Sequence, residues 1–365
     1  SLSRPRNLSV EVNGDIFHNL HLFANPIDKF RPSDKEIQRA LKKKKGSNLI
    51  YFGPGVHNLP NDTLFVPSGT TVYIDGGARV YGNIFTEGAH DVNIFGRGEV
   101  HPDGRGAGVW VRRSKNVRID GIVVSQLPIG QCDSVELTNV KSISYYGWGD
   151  GMDVFSSSNV ILDGVFCRNS DDCAAVYAST QGFKGGSNNV LVKNATLWAD
   201  VAHPINIGGH GDPNGMDTVQ NVTFRNIDIL DQAEKQIDYQ GCLAINPGDN
   251  TLVRNITFEN IRIEDFRNGQ LVNFRISFNP KYCVSTGRGI QNVLVKDVTY
   301  NGSGENLSII AGYDENHKIS GIRFVNLVVN GRKITDDMPG KPKWYKTGDM
   351  AGIFVGEHVE NLSFE

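Results

Sequence analysis

The sequence has no stretch approaching the roughly 18 consecutive apolar residues of a membrane-spanning helix, which excludes a helical membrane span. It also lacks an excess of charge of one sign. Its 37 Lys and Arg stand against 40 Asp and Glu, a net charge of −3, and no basic stripe runs along it, which argues against a nucleic-acid partner. The one basic run, Lys42-Lys43-Lys44-Lys45, reads as the solvated end of a helix. Cysteine is scarce and odd in number: Cys132, Cys167, Cys173, Cys242 and Cys283. No two are spaced as CxxC, so neither a disulfide scaffold nor a structural zinc site is expected, and most should be buried apolar side chains. The segment Gly208-Gly209-His210-Gly211-Asp212 lacks P-loop spacing and reads as a rim loop, not a phosphate cradle. No cofactor or metal is called for, and nothing in the composition sets an oligomeric state.

What the chain does have is glycine, 41 residues of it, and a recurring strand. The pattern is a polar residue followed by alternating aliphatics: Asn116-Val117-Arg118-Ile119, Asn159-Val160-Ile161-Leu162, Asn189-Val190-Leu191-Val192, Asn221-Val222-Thr223-Phe224 and Asn255-Ile256-Thr257-Phe258. Further copies begin at Asn292, Gly321 and Asn361. Period-two alternation means one inward face per strand. The interval between copies drifts from 30 to 32 to 34 residues between positions 160, 190, 222 and 256. Constant strands with loops of varying length indicate a solenoid and not propeller blades. Hairpin turn signals are too few for a β-sandwich. The expected fold class is therefore all-β, a right-handed single-stranded parallel β-helix, with asparagine side chains bonding from coil to coil at the strand starts. Eight Asn-x-Ser/Thr sequons occur, but several are these strand starts and are poor evidence for glycosylation.

Ser33-Asp34-Lys35-Glu36 has the form of a capping box, predicting a helix over 33–45 that stops at Gly46 and caps the open end of the solenoid. Its Ile37 and Leu41 share one face. Residues 9–12 and 20–24 read as two strands, either a small preceding unit or a layer against the solenoid. This divides the chain into an N-terminal strand segment, 1–30, and a parallel β-helix, 31–365.

Residues 48–56 and 68–78 resemble the opening coils of pectin-degrading β-helix enzymes. Further on, Asp150-Gly151-Met152-Asp153, Asn169-Ser170-Asp171-Asp172-Cys173 and Ala202-His203-Pro204 resemble the motifs of glycoside hydrolase family 28, which includes the polygalacturonases. The related dextranase family, family 49, is also similar, with three clustered aspartates. The resemblance implies a catalytic set of Asp150, Asp171, Asp172 and His203 acting by inversion. Asp171 would be the general acid, Asp150 and Asp172 would position and deprotonate water, and His203 would tune the acid. Asp153 is expected to support the turn. Independently of any family, the 21 residues from Asp150 to Asp171 are about one coil, so these carboxylates should lie on adjacent coils roughly 4.8 Å apart. Crowded carboxylates cannot all ionise cheaply, which supplies an acid and a base together. His203 follows Asp172 by 31 residues, one coil with an insertion expected over 178–187.

The chain departs from the family pattern in three places. Trp148-Gly149 stands where asparagine-threonine is usual, Ala202 and Pro204 flank the histidine, and no cation lies in Gly241-Cys242-Leu243-Ala244-Ile245. The family places an arginine-isoleucine-lysine motif there to hold a substrate carboxylate, and Arg275-Ile276-Ser277 falls about one coil late. A uronate carboxylate without a cationic partner is costly to bind, so a neutral or decorated glycan is expected instead of plain polygalacturonan. Trp148 reads equally as a sugar-stacking platform or as core. Asp238, Gln240 and Arg275 are further candidates for substrate contact. The alternatives are a polysaccharide lyase on the same fold, which the absence of Lys or Arg beside the aspartates disfavours, or a non-catalytic glycan-binding solenoid. A polysaccharide substrate makes the expected location secreted or periplasmic, with any leader removed before Ser1.

Overall fold

The computed structural model describes residues 2–42, 47–102, 104–304 and 306–365. Its strands stack in parallel, each coil pairing with the coils before and after it. A coil contributes one strand to each of three faces. In the coil of Asp150 these are Asp133–Thr138, Lys141–Ile143 and Met152–Phe155; in the next they are Ser158–Asp163, Phe166–Asn169 and Ala174–Tyr177. The expected right-handed parallel β-helix is the observed architecture.

The repeat seen in the sequence is the first face. Val117, Val135, Val160, Val190 and Val222 pair in register from coil to coil, continuing through Ile256, Val293 and Ile322. All are buried. Each such side chain contributes about 1.5–3 kcal/mol by leaving water, and equal size at equal register lets successive coils superpose. The residue just before each of these buried side chains must turn sharply. Asn159, Asn189, Asn221, Asn255 and Asn292 all have φ near +56°, a conformation asparagine tolerates best among non-glycine residues. Their amides also bond between coils, Asn189 to Asn159 at 2.7 Å, Asn255 to Asn221 at 3.1 Å and Asn292 to Asn255 at 3.3 Å. Asn221 instead uses the neighbouring Asn188, at 2.8 Å. A second ladder at the next corner joins Asn194 to Asp163, Asn226 to Asn194 and Asn260 to Asn226. The sequons at Asn221 and Asn255 are thus ladder positions.

The two N-terminal strands are longer than expected, β1 (Arg6–Val12) and β2 (Asp15–Ala24), and form an antiparallel hairpin. It lies along the second face of the solenoid. Lys141, fully buried, donates to Asn25 and to the carbonyl and side chain of Asn139, three acceptors for the three N–H bonds of an ammonium. Arg168 donates to Asn19 and to the carbonyl of Ile16, and lies 4.1 Å over the Trp198 ring. Phe23 packs on Phe166 at 5.0 Å. Helix α1 (Asp34–Leu41) starts with the expected capping box, Ser33 and Glu36 bonding reciprocally. Ile37 is buried, but Leu41, expected on the same apolar face, is exposed. The expected continuation to Lys45 and stop at Gly46 lie outside the described residues. Four of the five cysteines are buried and none is in a disulfide, as expected.

The corners that leave the third face set the shape of the surface above it. After Glu87, Arg112, Gly130 and Phe155 the chain turns in two residues (88–89, 113–114, 131–132 and 156–157). After Tyr177, Ile207, Ile245 and Arg275 the corners have nine, ten, six and thirteen residues (178–186, 208–217, 246–251 and 276–288). The glycine-rich 208–212 segment opens the second of these long corners. The third face is therefore low-walled upstream and high-walled downstream.

Candidate active site

The corner from the second face to the third carries the sequence motifs. Asp150 lies just before Met152–Phe155, Asp171 and Asp172 lie between Phe166–Asn169 and Ala174–Tyr177, and His203 lies just before Ile205–Ile207. These corners stack through their backbones, Gly151 N–H to Asp172 O at 2.7 Å and Cys173 N–H to His203 O at 2.8 Å. A Cβ on Gly151 would lie 2.2 Å from Cys173 O, so the glycine of the Asp-Gly motif is what lets adjacent corners approach. Buried Asn169 holds the turn by donating to Ser142, Ser144 and the carbonyl of Asp150. The result is the expected juxtaposition: Asp150, Asp171 and Asp172 each present an oxygen within 4.8 Å of the others.

Their environments differ sharply. Both oxygens of buried Asp172 are filled: one accepts from the His203 backbone N–H at 3.0 Å and Nδ1 at 2.7 Å, the other from Tyr177 Oη at 2.5 Å and Asn206 Nδ2 at 2.9 Å. Burial alone would raise its proton affinity, but the charge and hydrogen bond of His203, with those of Tyr177 and Asn206, hold it below the usual carboxylate range. Asp171 has no such donors apart from the Asp172 backbone N–H. Burial first, then the charges of Asp172 and Asp150 and a smaller push from Glu234, raise it to about 8. Asp150 is raised to about 7, by burial and then by Asp172. Asp153 was expected to brace the turn. Its side chain is buried with one oxygen unpartnered, and burial together with the charges of Asp150, Asp172 and Asp171 pushes its proton affinity well up.

His203 was expected beside the acid Asp171, but the structure places it on Asp172. The reason is register: the corners of Asp172 and His203 are adjacent, and Asp171 points to the open side. Trp148 is 65% exposed beside Asp150, which removes the core reading. Asp238 lies in the short helix Ile237–Tyr239 and accepts from Asn279 at 3.5 Å. Gln240 is fully buried, bonded to the Glu234 carbonyl, Asn268 and Asn306, and so braces its own loop and is not open to substrate. Arg275 ends a strand two coils beyond the one that follows His203. Tyr177 and Asn206 were missed by motif reading. Both stand at outward positions of otherwise apolar strands, a signal the alternation contained. Tyr239, whose ring meets His203 edge-on at 4.3 Å, comes from a loop with no repeat to place it.

Three clustered carboxylates could in principle share a cation. Here the lone pairs of Asp172 face N–H and O–H donors, leaving none for a metal, so the set is organised around protons. A cavity of about 1320 Å³ lies elsewhere, between the hairpin and the coil corners of Asn139, Asp163, Asn194 and Asn226, and contains none of the trio.

Comparison with known proteins agrees with this geometry. The profile of Glycosyl hydrolases family 28 matches residues 107–338, which include the whole site. A polygalacturonase of Juniperus ashei is 26% identical over 295 residues, 72% of this chain and 54% of that protein. The chain spans about half the length of the curated relatives it matches first. Among solved structures, the family 28 exopolygalacturonase of Yersinia enterocolitica superposes with a TM-score of 0.62 at 14% identity, covering 94% of this chain and 79% of that one. An endo-xylogalacturonan hydrolase of Aspergillus tubingensis gives 0.53 at 16% identity, covering 80% and 88%. With its motifs stacked on adjacent coils and the family profile covering more than half its length, the chain belongs to glycosyl hydrolases family 28.

Proposed function

We propose that this protein hydrolyses glycosidic bonds of a polysaccharide by an inverting, aspartate-based mechanism, and that plain polygalacturonan is not its substrate. The observation that carries the reading is the opposite charge state of two neighbours: Asp171 keeps its proton up to about 8 beside an Asp172 held ionised by four donors. Asp171 donates its proton to the leaving oxygen. Asp172 supplies the negative charge that keeps that proton in place. Asp150, raised to about 7, takes a proton from the attacking water near neutrality. Retention would need an ionised carboxylate with a free lone pair aimed at the anomeric carbon. Asp172 is ionised but its lone pairs are taken by four donors, and Asp150 is engaged as the base for the water. The trio is more compact than the usual inverting pair, roughly 6.5–9.5 Å apart, so the water sits beside the carboxylates and not between them.

The strand that would supply a uronate-binding cation, Leu243–Ile245, is wholly apolar, and Ala244 is fully buried. That supports a neutral or decorated glycan. Trp148, exposed next to Asp150, is suited to stack on a sugar ring. A polymeric glycan taken from the surroundings cannot cross a membrane unaided, and this supports a secreted or periplasmic location for the enzyme. The test is turnover on dextran, polygalacturonan and xylogalacturonan with the product anomer followed by NMR. An inverted anomer from one of the other two, and no turnover by Asp171→Asn, are expected. A retained anomer, or full activity of Asp171→Asn, would overturn the mechanism.

A further inference from the structure

The two long corners around the site come from opposite edges of the third face, and they meet above it. The segment before Leu243–Ile245 brings Gln236 and Tyr239 from one edge; the thirteen-residue corner after Val272–Arg275 brings Lys281 and Tyr282 from the other. Tyr239 and Tyr282 stack at 4.8 Å with an interplanar angle of 21°. Lys281 Nζ donates to Gln236 Oε1 at 3.2 Å and lies 4.8 Å over the Tyr282 ring, and Asn279 reaches Asp238 at 3.5 Å. Beneath this clasp the outward residues Asn206, Ala244 and Asn273 are at most 1% exposed, although they stand on the face along which the site lies. Upstream the same outward row stays buried through Ala175, Asp153 and Pro128 and opens only beyond them. Phe65, Phe85 and Trp110 form a stacked row, Phe65 is 63% exposed, and the corners beside them are two residues long.

We propose that the cleft is a blind one and that the enzyme removes short units from a chain end. This inference rests on the hydrolase reading above. The Tyr239 ring touches His203, one coil beyond Asp172, so the space past the reacting bond is about one strand spacing, roughly 4.8 Å, deep. That accommodates a single sugar, at most two. The glycan extends the other way, over the row that ends in Phe65, four strand spacings or about 19 Å upstream of the Asp153 strand. A polymer threading through in both directions would have to displace the stacked tyrosines.

The experiment follows product length and viscosity on whichever long-chain glycan of dextran and xylogalacturonan is cleaved. Release of one- or two-sugar products from the first minutes, with viscosity lagging far behind new reducing ends, is expected. An early ladder of oligosaccharides with a rapid fall in viscosity would overturn the proposal while leaving the hydrolase reading intact. Tyr282→Ala and Lys281→Ala, both in a corner outside the strands and with no hydrogen bond to the aspartates, should still cleave but shift the products toward longer fragments. Unchanged product length in the double variant would show that the clasp is not the barrier. Absence of hydrolysis of any polymer, together with an unaffected Asp171→Asn variant, would instead remove the reading on which this one stands.

Discussion

Asp171 and Asp172 are adjacent in sequence yet are pushed in opposite directions, because Asp171 is largely buried with a single backbone donor beside two carboxylates and Asp172 faces four donors. This difference makes the pH behaviour predictable. In the proposed mechanism Asp150 acts ionised and Asp171 protonated, so kcat/KM should be bell-shaped, falling below about 7 as Asp150 takes up a proton and above about 8 as Asp171 loses its own. The carboxylates titrate as a group, so the limbs belong to the set. Asp171→Asn should abolish turnover yet stabilise the fold. Between pH 4 and 8 the unfolded chain has released the Asp171 proton while the folded one retains it, so stability falls as pH rises through that window. Thermal melts at pH 8 should show the variant ahead of the parent by about 1–2 kcal/mol, with the gap closing toward pH 4. Tyr177→Phe should move the alkaline limb set by Asp171 upward, because Asp172, still ionised but with one donor fewer, presses its charge harder on Asp171. The aspartates and histidine were legible in the sequence because short motifs encode them. The partner of His203 was not, since it depends on which corners come to lie side by side.

The strands were legible element by element, because the same alternation that shows in the sequence fills the interior, from Val117 through Ile322. Their starting asparagines carry two roles that one substitution pair can separate. Asn255 has φ of 56° and bonds both to Asn221 and to Asn292. Asn255→Gly keeps the backbone conformation and loses only the amide bonds, whereas Asn255→Ala loses both. Chemical denaturation should place the alanine variant below the glycine variant, with losses of about 1–2 and under about 1 kcal/mol respectively. Equal losses would mean the ladder bonds dominate. Loops were the illegible elements. Residues 234–241 and 276–288 have no period, and what places Tyr239 and Tyr282 together is the width of a three-residue strand, which no local pattern in either loop records.

At the scale of the whole molecule, the hairpin ties coils that are distant along the solenoid. Arg97 donates to the carbonyl of Pro26, Lys141 and Arg168 grip the middle, and Arg267 lies 5.2 Å over the Phe17 ring. Removing residues 2–27 would uncover Phe166 and Trp198 and leave the buried ammonium of Lys141 without Asn25. The truncated chain should melt earlier and bind a hydrophobic dye at temperatures where the intact chain does not. An unchanged melt would mean the hairpin merely rests on the surface. That the fold is a solenoid could be read from the repeat; whether its first strands form a preceding unit or lie on the coils could not be decided there, because hairpin and second face share no periodicity. The ribosome meets this arrangement in an awkward order. Phe17 emerges 250 residues before Arg267, and at roughly 5–20 residues per second the hairpin waits about 12–50 s for its farthest berth to be synthesised. During translation it therefore gains its contacts in steps, those with Lys141, Phe166 and Arg168 well before the one with Arg267.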